Sequence, residues 1–307
     1  MHTILGINGS TGIEIAKELR KRNIAVRGVS RREALGDWEY VKGDVMNLES
    51  ITKALAGSKV VYCCVGIEYK IEVWRRDWLP LIENVIQACL STNAKLIFVD
   101  NVYMYGLVQG EMTENTPMNP TSEKGKVRKA MVEKLLDAFQ NRGLQGCIAR
   151  SADFYGPDCE KSMITETGFK NAANRKTMQW LGKMDKVHAY TFTPDIGRAC
   201  VNLALSDKIK GDVWHLPTAS AIKADEMSKL IANEMGIKHK IMPLRGMMMS
   251  ILGLFIPILR ELKEMMYQYD EDYRFSSAKY ENAFGEKATS YQEGVKKTAD
   301  FYKKISK

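Results

Sequence analysis

None of the six cysteines (Cys63, Cys64, Cys89, Cys147, Cys159, Cys200) belongs to a Cys-x-x-Cys pair, and none has a histidine at zinc-knuckle spacing. That excludes a zinc knuckle. Most of these thiols sit in apolar runs such as VVYCCV, where a cysteine behaves as a small hydrophobe. Reduced, structural cysteines and a cytoplasmic location are the expectation. Histidine is scarce, at four residues, and no His, Cys, Asp or Glu group has metal-ligand spacing, so no metal is expected. There is no Gly-x-Ser-x-Gly turn and no Gly-x-x-x-x-Gly-Lys-Ser/Thr loop, which leaves a nucleophile-elbow hydrolase or an ATPase without support.

Long apolar runs are also missing. The stretch 247–259 (Met247, Met248, Met249, Leu254 and Phe255 among its residues) is thirteen residues long. About twenty are needed to span a bilayer. It reads as a buried helix or the wall of an apolar pocket, with an interfacial helix as the alternative. The N-terminus opens on strand-like residues (TILGI) without the basic and apolar regions of a signal peptide. Charge is only mildly unbalanced: 45 Lys+Arg against 37 Asp+Glu give +8 over 307 residues. Without clustering or a binding motif, that surplus does not point to nucleic acid.

What is present is alternation of strand and helix over the first two hundred residues. Thr3–Ile7, Ile24–Val29, Lys59–Val65, Lys95–Val99 and Gly146–Arg150 read as strands, Lys59–Val65 a continuous apolar run suited to a sheet covered on both faces. Between them lie helical patterns at Gly12–Arg22, after Asn47, at Trp74–Leu90 with Pro80 as a kink or restart, and at Lys124–Asn141. Such alternation implies parallel pairing and a doubly wound α/β sheet. From Asp158 the rhythm breaks. Residues 158–186 look like loop and short helix, Asp195–Leu205 reads as a capped helix and Val213–Leu216 as a strand. Residues 1–157, with 187–217 returning to them, are therefore expected as one domain, and 158–186 with 218–307 as a smaller substrate-binding lobe.

Between the first strand and the first helix stands Gly6-Ile-Asn-Gly9-Ser10-Thr11-Gly12. Glycines at this spacing let the backbone turn tightly, approach a pyrophosphate and pack helix on strand, while free N–H groups at the helix start bind phosphate. The second strand ends in Ser30-Arg31-Arg32. An acidic residue there would bind ribose hydroxyls; two arginines suit a 2′-phosphate. NADP is the expected cofactor, with NAD as the alternative.

These features resemble the extended short-chain dehydrogenase/reductases, the NAD(P)-dependent epimerase/dehydratase group. Gly6-x-x-Gly9-x-x-Gly12 matches the group's loop. Gly43-Asp44-Val45 matches its adenine-contacting segment, and Cys63-Cys64-Val65-Gly66 stands where it has a small-residue turn against the cofactor. Val102-Tyr103-Met104-Tyr105-Gly106, Arg150-Ser-Ala-Asp-Phe-Tyr155-Gly156-Pro157 and Thr193-Pro194-Asp195-Ile196 follow in the group's order. The resemblance implies a Rossmann domain, a small-molecule substrate (commonly a nucleotide-sugar) and pairing into a homodimer through two helices. That would put Trp74 and Trp78 at an interface rather than in the core. The Met-rich stretch suggests instead a less polar carbonyl substrate.

The departure is at the chemistry. The group's site resembles a Ser/Thr with a Tyr-x-x-x-Lys pair, the tyrosine exchanging a proton with the substrate oxygen and the lysine holding the nicotinamide ribose. Here Asn101 stands at the Ser/Thr position, Lys129 at the lysine position and Gly125 at the tyrosine position, and no tyrosine lies between Tyr105 and Tyr155. Asn101, Lys129, Tyr103 and Tyr105 are the catalytic candidates, with Tyr155, His188 and His215 behind them. Lys129 lies on a basic helix with Lys124, Lys126 and Arg128. The expectation is hydride transfer to or from a carbonyl or secondary alcohol. The alternative is a non-catalytic NADP sensor that has lost its tyrosine.

Overall fold

The structure is a computed structural model that describes residues 1–33, 36–160, 162–245 and 257–305. Most of the apolar stretch at 247–259, including Met247, Met248, Met249, Leu254 and Phe255, lies outside the described residues. Two compact units emerge. The first takes residues 1–104, 123–151 and 196–216; the second takes 105–122, 152–195 and 217–307.

The first unit is built on a seven-stranded, wholly parallel sheet: β1 (His2–Leu5), β2 (Val26–Ser30), β3 (Glu39–Lys42), β4 (Val60–Cys63), β5 (Lys95–Asp100), β6 (Gly146–Arg150) and β7 (Val213–His215). Their spatial order is β7-β6-β5-β4-β1-β2-β3. The order reverses between β1 and β4, and in open sheets of this kind ligands bind beyond the strand carboxyl ends at such a reversal. β4 and β6 are buried along their whole length, β4 as its continuous apolar run requires and β6 with Arg150 at its end.

Helix α1 (Ser10–Lys21) buries Thr11, Gly12, Ile15, Ala16 and Leu19 on one face. The short helix α2 (Leu48–Ala54) is capped by the Asn47 side chain, which accepts from Ser50 N–H at 2.9 Å. Pro80 neither stops nor restarts α3 (Ile71–Thr92): the helix runs through it. The proline faces solvent, where water satisfies the carbonyl that loses its partner. Trp74 and Trp78, on the opposite face of α3, are buried within this chain, which corrects their expected place at a dimer interface. They pack towards α4 (Glu123–Asn141), whose Arg128 covers both rings.

In the second unit short strands pair at long range. Asp153–Tyr155 runs parallel to Tyr190–Phe192, Met178–Leu181 to Ile241–Leu244, and Glu111–Met112 to Arg274–Phe275. These pairings gather residues 105–122, 152–157 and 187–195 into the second unit, although sequence pattern assigned them to the first. Helices Ala224–Met235 and Tyr291–Ile305 cover a core that includes Phe169, Trp180 and Tyr190. The next helix, Thr193–Leu205, begins before Asp195, so Asp195 is not its cap. Its carboxylate accepts instead from Thr289 N–H at 2.7 Å and Thr289 Oγ1 at 2.8 Å.

Burial at the start of β1 has a pH consequence. His2 Nδ1 lies 3.0 Å from Tyr62 Oη. Desolvation, with the nearby N-terminal amine, Lys59 and Lys95, lowers its pKa from the ordinary 6.5 to about 4. The unfolded chain then takes up that proton before the folded one, so stability falls as pH drops from about 6.5 to about 4. Urea midpoints at pH 7 and 4.5 are expected to differ less in His2→Gln than in the wild type; an equal difference refutes the assignment.

Candidate active site and dinucleotide cradle

Five strand ends place most of the sequence candidates in one row. β5 ends at Asp100 and Asn101, β4 at Cys64–Gly66, β1 at Gly6, β2 at Ser30 and β3 at Gly43 and Asp44. Neighbouring strands stand about 4.8 Å apart, so the row from β5 to β2 runs roughly 14 Å.

At its centre, Gly6 has φ +80°, and a Cβ there would stand 2.9 Å from the Cys64 carbonyl oxygen. Only glycine fits. A Cβ on Gly12 would lie 2.7 Å from the Gly6 oxygen and 3.0 Å from Ile7 Cα, so the start of α1 sits directly on the end of β1. Gly9 differs: it is exposed, with φ −84° and ψ 154°, and its nearest neighbour would be the Gly6 oxygen at 3.4 Å. It precedes α1 without any side-chain cap. The first-turn N–H groups of Ser10, Thr11 and Gly12 thus receive no capping side chain, in contrast to α2. An uncapped helix start beside an open glycine is an anion site. The residues present therefore fit a dinucleotide pyrophosphate.

Ser30 closes β2 with its hydroxyl on the Arg32 carbonyl and accepts from Asn8 Nδ2 at 3.3 Å. Arg31 and Arg32 are exposed, and neither forms an ion pair among the described residues. Asp44 makes a local turn, accepting from Met46 N–H at 3.0 Å, and the Val45 carbonyl accepts from Asn84 at 3.0 Å. The Cys64 thiol hydrogen-bonds to Thr11, and burial pushes its pKa up, as it pushes Cys63 up to about 11. Both remain thiols that pack rather than react. Val65 is half-buried and Gly66 exposed, with nothing within 4 Å of its would-be Cβ.

Among the catalytic candidates, Asn101 is half-buried and its Oδ1 accepts from Tyr103 N–H at 3.1 Å. The amide NH₂ is left as the donor. Tyr103 is half-buried and stacks on Trp74, ring centroids 6.1 Å apart. Tyr105 closes the same 3₁₀ turn and is 1 % exposed. Tyr155 is fully buried against Phe192 and Tyr291, and burial raises its pKa far above the ordinary range. His188 is bound on both ring nitrogens, Nδ1 to the Gln268 carbonyl at 3.1 Å and Nε2 to Asp153 at 3.0 Å, and stacks on Tyr269 and Tyr273. His215 is wholly buried.

Lys129 is half-exposed, 3.9 Å from Glu133 on its own helix. The inward face of α4 carries Lys124, Arg128, Met131 and Leu135 instead. Lys124 is 1 % exposed with Nζ 4.7 Å from the Tyr69 ring centroid. The Arg128 guanidinium lies 4.3 Å from the Trp78 ring and 5.4 Å from the Trp74 ring. It is 3.6 Å from Asp100 Oδ1, while Arg150, opposite Asp100 in register, holds Oδ2 at 3.2 Å. This basic, aromatic-walled cluster escapes a reading that treats cations as surface residues. Its signal was the spacing: 124, 128, 131 and 135 share one helical face. Among the described residues, no group of three His, Cys, Asp or Glu side chains is placed to hold a metal. No described helix is long and apolar enough to cross a membrane.

A parallel sheet in this order, with a glycine turn feeding an uncapped helix at its reversal, defines a Rossmann-type dinucleotide-binding protein. Residues 2–216 match the NAD dependent epimerase/dehydratase family, and the chain belongs to it: it is an NAD-dependent epimerase/dehydratase-type enzyme. A curated relative, the uncharacterized UDP-glucose epimerase YtcB of Bacillus subtilis (strain 168), is 21% identical over 246 residues, 77% of this chain and 75% of that protein. Among solved structures, MoeE5 in complex with UDP-glucose and NAD superposes with a TM-score of 0.80 at 17% identity, covering 100% of this chain and 99% of that one. The UDP-N-acetylglucosamine 4-epimerase from Bacillus cereus superposes with a TM-score of 0.77 at 16% identity, covering 97% and 94%.

Proposed function

We propose that this enzyme interconverts a nucleotide-activated sugar and prefers NADP to NAD. The uncapped start of α1 beside Gly9, in one row with Asn101, carries the reading. The substrate class rests on the relatives named above, among them a UDP-glucose epimerase and a protein bound to UDP-glucose. When bound, the dinucleotide supplies hydride exchange with a carbon of the substrate. The chain's own residues bind and orient. N–H groups of Ser10, Thr11 and Gly12 hold phosphate oxygens. Asp44 and Val45 flank the adenine end, Cys64, Val65 and Gly66 line the middle, and the Asn101 amide donates to a substrate oxygen. Tyr103 serves beside it as the proton donor, a role favoured over Tyr105 because Tyr103 is half-buried and Tyr105 sealed.

The NADP preference rests on Arg31 and Arg32, exposed at the end of β2, where Ser30 stands in place of an acid. A charge-assisted hydrogen bond is worth about 1.5–3 kcal/mol, or roughly ten- to a hundredfold in affinity. Calorimetry is expected to give tighter binding of NADP than of NAD, and a loss of that order for NADP alone in the Arg31→Ala/Arg32→Ala double variant. Equal affinities in the wild type overturn the preference. Absence of turnover with UDP-glucose, UDP-N-acetylglucosamine and dTDP-glucose overturns the substrate class.

A further inference from the structure

Two turns of the first unit leave the same end of the sheet: the glycine turn after β1, and residues 30–33 after β2. The second turn carries Arg31 and Arg32. The arginines that precede them in the chain are engaged: Arg20 with Asp37 at 2.9 Å, Arg22 with Glu18 at 2.6 Å and Arg27 with Glu39 at 2.8 Å. Arg31 and Arg32 form no ion pair among the described residues. An exposed arginine that must be ordered on binding gives up rotamer freedom. What it contributes therefore depends on how firmly its backbone is already held.

The hold comes from outside the turn. The Ser30 carbonyl accepts from Gly43 N–H at 3.1 Å and from Tyr40 Oη at 3.3 Å, which fixes the end of β2. The Ser30 hydroxyl donates to the Arg32 carbonyl. Asn8 supplies the rest. Its Nδ2 donates to Ser30 Oγ at 3.3 Å and to the Glu33 carbonyl at 3.2 Å. The two hydrogens of one NH₂ group thus hold the first and last residues of the turn, with both arginines between them. Asn8 itself lies between Gly6 and Gly9, in the turn read as the pyrophosphate site.

The local fold does not demand asparagine there. The backbone at Asn8 is not left-handed, so the conformational tolerance of asparagine is not in use. The side chain is exposed, and hydrogen bonds that water can replace contribute little to stability. Aspartate has the same shape but no donor, and alanine has neither. What remains is the tie between the two turns.

We propose that Asn8 is a positioning residue for NADP recognition: by tying the pyrophosphate turn to residues 30–33, it presets Arg31 and Arg32 for a 2′-phosphate. The ligand group is a phosphomonoester on the adenosine ribose, and Asn8 acts on it through the two arginines. This rests on the NADP preference given above.

The test is calorimetry of NADP and NAD with wild type, Asn8→Ala, Arg31→Ala/Arg32→Ala and the variant that combines all three substitutions. The readout is the ratio of the two affinities, because loosening of the shared pyrophosphate turn weakens both dinucleotides alike. Asn8→Ala is expected to lower the NADP-over-NAD ratio about fivefold or more, the scale of ordering one long side chain. In the background without the arginines, Asn8→Ala is expected to leave the ratio where it was. An unchanged ratio in Asn8→Ala overturns the proposal and leaves the NADP preference standing. The same fall in both backgrounds also overturns it, since Asn8 would then act on the ligand directly. Equal wild-type affinities overturn the preference and this inference with it. If Asn8→Ala binds neither dinucleotide, Ser30→Ala removes the same tie from its other end and gives the ratio instead. An unchanged ratio there overturns the proposal, and a fall supports it.

Discussion

Gly9→Val is expected to weaken dinucleotide binding by about two orders of magnitude, roughly 2.7 kcal/mol, while unfolding stability stays within about 1 kcal/mol of the parent. The backbone at Gly9 is extended, a conformation any residue adopts. Its would-be Cβ meets only the Gly6 and Cys64 carbonyl oxygens, at 3.4 and 3.9 Å. Nothing in the fold demands glycine there, so the demand comes from close approach of a ligand to the start of α1. Gly12→Ala is the contrasting case. Its new methyl would press on backbone atoms of Gly6 and Ile7 at 2.7–3.0 Å, none of which is the end of a flexible side chain. Overpacking of this kind costs about 1–3 kcal/mol, so Gly12→Ala loses stability and binding together. Calorimetry with NADP and NAD, beside urea unfolding, separates the two patterns. A Gly9→Val protein that binds both dinucleotides like wild type would remove the phosphate site from this turn.

The two glycine roles differ in how visible they are before any coordinates exist. The spacing Gly6-x-x-Gly9-x-x-Gly12 marks a turn, but only the packing tells which glycines serve the fold and which is open to a ligand. The sheet was readable because β4 is an unbroken apolar run, and burial on both faces leaves no other use for it. The pairing of Asp153–Tyr155 with Tyr190–Phe192 was not readable. Strands of three residues carry too little pattern, and their partners are set by contacts distant in sequence. The same holds for the site. Asn101 follows from its place after β5. Lys124 and Arg128 do not, because a cation on a charged helix is ordinarily a surface residue. Their burial depends on Trp74 and Trp78 from α3 and on Asp100 from β5. Tyr103 and Tyr105 look equivalent in sequence, yet the 3₁₀ turn between them leaves one half-buried and seals the other.

Asp100→Ala is expected to destabilise the protein by about 3–5 kcal/mol, the usual consequence of removing one partner from a buried ion pair. Asp100 is 2 % exposed and lies opposite Arg150 in the β5–β6 register, so Arg150 Nε and Nη2 both reach its Oδ2 at 3.2 Å. Arg128 approaches the other oxygen. Burial already lowers the Arg128 pKa, and the Asp100 charge opposes that effect. Arginine remains charged in proteins, so without the carboxylate two buried guanidinium groups lose their counter-ion. Replacing both strand partners by neutral amides, Asp100→Asn with Arg150→Gln, is expected to recover part of the stability, because the amide pair carries no charge to desolvate while buried Arg128 still lacks its counter-ion. Urea unfolding of the two single variants and the double variant gives the coupling energy. A loss below about 1 kcal/mol in Asp100→Ala contradicts the structural claim.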